Sequence, residues 1–180
     1  MSEAAPVSTP TPTSTLTPNP TPAATVASQE WRVRPAGHSD VEAVAVAVRE
    51  LLLELGGAPP ELQAMQAAAS TLIGSAEAGV VLVAQADEGV VGVLGASWQM
   101  AIHVPGCYAL IQDLWVERAW RGRAVGAGLL AALFELARAK EFARVEVGLP
   151  GESFARFAAT EAFYLANGFT ANGPRLRRLL

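Results

Sequence analysis

Three arginines, Arg118, Arg121 and Arg123, crowd one short stretch of the chain, and small residues accompany them: Gly122, Ala124, Gly126, Ala127 and Gly128. Between a strand and a helix such a stretch can do chemistry. The N–H groups at a helix start have no partner inside the helix, and the macrodipole is positive there. Small side chains let a bulky anion reach that backbone, and arginines add charge-assisted hydrogen bonds. The stretch reads as a seat for a diphosphate, or as a glycine-containing loop packed for steric reasons with solvated arginines. Other anion and nucleophile motifs fit worse. A P-loop needs Gly-Lys-Ser/Thr, and the only lysine, Lys140, stands elsewhere. The glycine spacing is wrong for a dinucleotide fingerprint. There is no Gly-x-Ser-x-Gly elbow, and the lone thiol, Cys107, lacks a convincing histidine partner.

Groups that could take a proton are Asp113, just before that stretch, together with Glu146, Glu152 and His103. Each reads equally as a solvated or paired side chain, and a water relay without a dedicated base is the other choice. Trp98, Met100, Trp115 and Trp120 could line an apolar pocket or sit in the core. Glu50, Glu54 and Glu61 could attract a cationic amine or lie on solvated helix faces. The terminal cluster Arg175, Arg177 and Arg178 reads as protection of a strand edge. Two histidines and one cysteine leave no His- or Cys-rich metal set, so no metal is expected.

The elements that must position these residues follow from periodicity. Trp31–Arg34 alternates as a strand ended by Pro35. Ser39 or Asp40 caps a helix carrying Val41, Val44, Val48, Leu51 and Leu52 up to Gly56. A second helix covers about 61–73. Strands at 80–83 and 90–98 flank the turn Asp87-Glu-Gly89, and 108–116 is a third strand of that run. A helix over 126–140, a strand over 143–149 and a helix over 154–166 ending at Asn167-Gly168 come next. Phe169 and 174–180 suggest a terminal hairpin. The order predicts an α/β (α+β) fold: a mixed, mainly antiparallel central sheet with helices on both faces.

Residues 1–29 stand apart. They hold six of the twelve prolines and repeated Thr-Pro steps, with almost nothing large and apolar to bury. This predicts a Pro/Thr-rich flexible tail ahead of one domain over 30–180. The chain of 180 residues is 51% hydrophobic and 17% charged, with a formal charge of −4. A general nucleic-acid binder would be basic, so that partner is disfavoured. Short, broken apolar runs predict no membrane span, and the absence of a basic n-region and apolar h-region predicts a cytoplasmic protein.

Val116 followed by Arg121-Gly-Arg-Ala-Val-Gly126 resembles motif A of the GNAT superfamily of acyl-CoA-dependent N-acyltransferases, written Arg/Gln-x-x-Gly-x-Gly/Ala. Downstream, Tyr164-Leu-Ala-Asn-Gly-Phe169 resembles that family's YxxxGF signature. The resemblance spans about 31–180. It departs at Ala124, where the family usually has glycine, and at Phe157, where an asparagine often meets the cofactor's pantetheine arm. Alanine at 124 suits a phosphate seat if its φ is negative. The resemblance implies a GNAT-like fold with one splayed parallel strand pair and acetyl-CoA as cosubstrate. The cosubstrate would be held by the backbone at Leu114, Trp115 and Val116 and by Arg121, Gly122, Arg123, Ala124, Val125, Gly126 and Ala127. It implies direct attack of a small-molecule or peptide amine on the thioester, Tyr164 as the acid toward the departing thiolate, and Asp113 as a candidate base. A non-catalytic acyl-CoA-binding or regulatory module on the same fold is the alternative. The acceptor stays unassigned, and a homodimer stays open.

Overall fold

A computed structural model describes Met1, residues 30–173 and Arg178. The expected tail thus lies outside the described residues apart from Met1. The elements are β1 (Trp31–Pro35), α1 (Val41–Glu54), α2 (Leu62–Ile73), β2 (Gly79–Ala86), β3 (Gly89–Ala101), β4 (Val104–Val116), α3 (Val125–Ala139), β5 (Val145–Val147) and α4 (Phe157–Ala166). The five strands form one sheet in the order β1-β2-β3-β4-β5. The first three pairings are antiparallel and β4–β5 is parallel. This is the mixed, mainly antiparallel sheet expected from the sequence.

Alternation along the strands sends apolar side chains to two cores. One face carries Leu82, Ala84, Leu94 and Ile111, which pack with Leu129, Leu130 and Leu133 of α3 and Tyr164 of α4. The other carries Val81, Val83 and Val93, which pack with Val44 and Ala47 of α1 and with Leu72 of α2. Asp40 precedes α1 as expected, but its side chain makes no cap bond to that helix. Its carboxylate accepts instead from Gly37 N–H at 2.7 Å and from the Arg34 guanidinium at 2.6 and 2.9 Å. It thereby ties the strand β1 to the helix entry, and the Arg34 bond holds its pKa below the usual carboxylate value.

Two departures from the sequence reading shape the site. β5 is three residues long, not seven, and pairs only Ala109–Ile111 with Val145–Val147. Gly148 and Pro150 follow, and proline has no N–H to extend the ladder. β4 carries a bulge: Gly95 pairs Asp113 but Ala96 pairs Ile111, which leaves Gln112 as the extra residue. The bulge reverses the parity of β4. Ala109 and Ile111 face the α3–α4 core, and beyond the bulge Leu114 and Val116 face it. Trp115 packs with the α1–α2 core. Past Ile111 the two strands part. The expected terminal hairpin is not formed by Phe169–Gly173, which take no strand conformation, and Pro174–Arg177, Leu179 and Leu180 lie outside the described residues.

Candidate active site

A cleft of about 720 Å³ opens where β4 and β5 part. Leu114, Trp115 and Val116 form one wall, and Val147, Gly148, Leu149 and Pro150 form the other. The start of α3 (Ala124, Val125, Gly126, Ala127) closes one end, and Phe163 and Tyr164 of α4 form part of its lining. The end of α1 adds Leu51, Glu54 and Leu55. Residues from both cores therefore line one cleft, which passes through the sheet at the splay.

The edge of β4 is set up to receive hydrogen bonds. Glu117 N–H donates to Val91 C=O on the β3 side. By alternation the peptide groups of Val116 and Leu114 face the opposite, open side. The Val116 carbonyl accepts from Arg121 Nε at 2.8 Å.

The bend after β4 is built on two residues with left-handed backbone. Arg118–Trp120 form one 3₁₀ turn, Gly122 has φ +79°, and Ala124 has φ +60° at the N-cap of α3. Left-handed backbone at Ala124 costs about 1–2 kcal/mol, so the condition of a negative φ is not met here. The bend forms in spite of the side chain. The first N–H groups of α3 have no preceding helical turn to bond, and Ala124–Ala127 line the cleft. Gly126 is small for a reason beyond ligand access: a Cβ there would stand 3.2 Å from the Phe163 ring.

The three loop arginines differ in their partners. Arg121 donates to both Glu54 oxygens, at 2.8 and 3.0 Å, as well as to Val116. Arg118 approaches the same carboxylate at 3.6 Å. The Arg121 hydrogen bond holds the Glu54 pKa below the usual carboxylate value. Arg121 thus fixes the bend to α1, and its guanidinium is spent within the protein. Arg123 lies outside the cleft lining, stacked over Trp120 at 5.0 Å and paired with Glu30 at 3.1 Å on exposed chains.

Tyr164 is 7% exposed and borders the cleft. Phe163 and Phe169 meet its ring edge-on at 5.2 and 5.3 Å. Gly168, at φ +86°, ends α4 and turns Phe169 back so that its N–H donates to the Tyr164 carbonyl. Burial pushes the Tyr164 phenol up to about 12. It is a neutral O–H donor throughout the physiological range. Asp113 does not line the cleft. The bulge puts it on the same side of β4 as Trp115, with its carboxylate over Gly95. Burial raises its pKa.

A family model described as the acetyltransferase (GNAT) domain matches residues 77–171. The chain belongs to the GNAT acetyltransferase family. A comparison with curated proteins gives no match. Among solved structures, an acetyltransferase proposed for Arthrobacter sp. FB24 is 28% identical, with 88% of this chain and 97% of that one covered and a TM-score of 0.67. A possible acetyltransferase from Clostridium difficile 630 has 13% identity, coverage of 83% and 97%, and a TM-score of 0.71. The aminoglycoside N-acetyltransferase AAC(6')-Iy, determined in complex with CoA, has 15% identity, coverage of 86% and 97%, and a TM-score of 0.69. The last two likenesses concern the fold.

In this GNAT chain the cleft brings together Leu114, Trp115, Val116, Arg121, Gly122, Ala124, Val125, Gly126, Ala127 and Tyr164, and leaves out Asp113 and Arg123. Glu146 pairs with Arg144 at 2.7 Å, and His103 also meets Arg144. Glu152 and Phe157 border a second cavity of about 1040 Å³ beyond β5. Of the four residues considered for an apolar pocket, Trp115 and Trp120 line the cleft, while Trp98 packs on Phe142 and Met100 is 81% exposed. Sequence reasoning missed the α1 contribution of Leu51 and Leu55, and Arg156 with Phe154 ahead of α4. Only Glu54 carried a signal, as an acid at the end of a helix that the fold brings to the loop. Among the described residues no three His, Cys, Asp or Glu side chains converge as a metal set, and no helix is long and apolar enough to cross a membrane.

Proposed function

We propose that residues 30–180 form an N-acetyltransferase that moves an acetyl group from acetyl-CoA to a primary amine by direct attack on the thioester. The observation that carries this reading is the single cleft joining an unpaired strand edge, a helix start lined with small residues, and a buried tyrosine hydroxyl. The chemistry of a CoA thioester fits each part. Its diphosphate suits the N–H groups of Gly122–Ala127. Its pantetheine amides suit the peptide group of Leu114 and the N–H of Val116, whose carbonyl already accepts from Arg121. The determination of AAC(6')-Iy with CoA supports the choice of cosubstrate.

The reaction needs no covalent intermediate. The amine nitrogen bonds to the carbonyl carbon, the C–S bond breaks, the nitrogen loses a proton and the sulfur gains one. At pH 7 an alkylammonium pays about 4.6 kcal/mol to present its neutral form. We assign loss of the nitrogen's proton to a water relay without a dedicated base, since Asp113 stands outside the cleft lining with its carboxylate over Gly95. Tyr164 donates its hydroxyl proton to the departing thiolate and regains one from solvent. Arg121 acts by holding the bend.

A non-catalytic acyl-CoA-binding module is the second reading, favoured by the strained Ala124. Thiol release from acetyl-CoA over a panel of primary amines separates the two. Amine-dependent release supports transfer, whereas binding of acetyl-CoA with no release on any amine assigns the module.

A further inference from the structure

Given the transfer reaction proposed above, the cleft's own lining bears on which amine it accepts. The helix start of α3 and Tyr164 are the parts of the lining assigned to the thioester. Apolar lining is also supplied by Leu51 of α1, Leu55 just after it, Trp115 from β4, and Leu149, Pro150 and Phe154 after β5. Leu55 and Leu149 are 39% and 40% exposed, which leaves apolar surface for a ligand to cover.

Charge on this lining is sparse. Among the described residues the cleft has one carboxylate, Glu54, and two cations, Arg121 and Arg156. Glu54 is already held by both Arg121 bonds, with Arg118 beside it. No carboxylate in the described lining is left to receive an ammonium, and Glu50 on the same helix is exposed beside Arg49.

We propose that the acceptor is a monoamine carried on an apolar body, an arylalkylamine or alkylamine, and that polycationic amines are poor acceptors. Two physical effects act together. Every ammonium other than the reacting one would enter an apolar, net-positive cleft without a counterion, which is unfavourable. The reacting nitrogen escapes that penalty by shedding its proton, because apolar surroundings lower an amine's pKa. The wall that rejects a polycation therefore also helps to deprotonate a monoamine. The likeness to AAC(6')-Iy extends to the fold.

The test uses the full chain. Acetyl-CoA binding is measured first by calorimetry, and thiol release is then followed with phenethylamine, hexylamine, phenylalanyl-alanine amide, spermidine and kanamycin. The expected kcat/KM is at least about tenfold higher for phenethylamine or hexylamine than for spermidine or kanamycin. Faster release with the dipeptide amide than with the small amines keeps the apolar-body class and identifies a peptide N-terminus as its source. In Leu55→Glu, a carboxylate at a partly exposed position should move the spermidine-to-phenethylamine ratio of kcat/KM about tenfold toward spermidine. The ratio is read within one preparation, so a loss of folded protein does not change it. A wild-type preference for spermidine or kanamycin, or an unmoved ratio in Leu55→Glu, overturns the proposal while leaving amine transfer standing. Acetyl-CoA binding without release on any amine removes the transfer reading, and the acceptor assignment falls with it.

Discussion

At the residue scale the account turns on Tyr164 and Ala124. Tyr164 owes its raised pKa to burial. Its hydroxyl should stay protonated until pH approaches 12, so a pH–kcat profile should show no alkaline loss near 10, the range of an ordinary phenol. A loss centred near 10 would mean that the group is solvated. Tyr164→Phe should lower kcat by about 10²–10⁴ with little change in the acetyl-CoA dissociation constant. An unchanged kcat with chemistry rate-limiting would leave Tyr164 a core residue. Ala124 sits at φ +60°, where glycine is free of strain. Ala124→Gly should stabilise the fold by about 1 kcal/mol, read as a higher denaturation midpoint in urea. A lower midpoint would show that the bend relaxes in solution.

At the scale of elements, the Arg121–Glu54 pair joins the bend after β4 to the end of α1. Glu54→Gln removes the charge and leaves part-buried Arg121 with a weaker acceptor. It should cost about 1–3 kcal/mol and raise the KM for acetyl-CoA through disorder of the bend. Restoration of both by Glu54→Asp would agree with a positioning role, and an unchanged KM would contradict it. This pair also marks the limit of what the sequence shows. The bend was legible because it is local: small residues follow a strand and open a helix. Tyr164 was legible because Gly168 and Phe169 stand at fixed offsets. The Arg121 partner was not, since Glu54 is distant in sequence and only the packing of α1 on the sheet unites them. Asp113 faces away from Leu114 and Val116, as alternation implies, but the bulge at Gln112 belongs to strand pairing and leaves no composition signal. The shortness of β5 follows from the same bulge together with Pro150.

For the whole molecule, the helices on both faces make the sheet a partition, and the splay is the passage through it. Periodicity, from which the elements are read, reports one face at a time and says nothing of where two strands separate. The ion pairs at either side of α1 favour the fold above the acid range, while the raised pKa of buried Asp113 acts in the opposite sense. Asp40 and Glu54 both have folded pKa values below their unfolded ones. Their contribution is present above the unfolded carboxylate pKa and is lost as pH falls through the folded values. Tyr164 acts at the other end: its folded pKa is raised, so stability falls as pH rises from about 10 toward 12. Urea midpoints across pH should therefore show a plateau at neutral pH with a decline on each side. A midpoint that keeps rising below pH 4 would contradict the two ion pairs.

The central claim is that the start of α3 seats the diphosphate of a CoA thioester. Isothermal titration with acetyl-CoA tests it most directly, in wild type and in Ala127→Asp. Ala127 borders the cleft in the first turn of α3. An acidic residue there favours the helix through its dipole while placing negative charge where the diphosphate would sit. The account predicts micromolar binding to wild type and no measurable binding to a folded Ala127→Asp protein. Equal binding by both, or none by wild type, would contradict it.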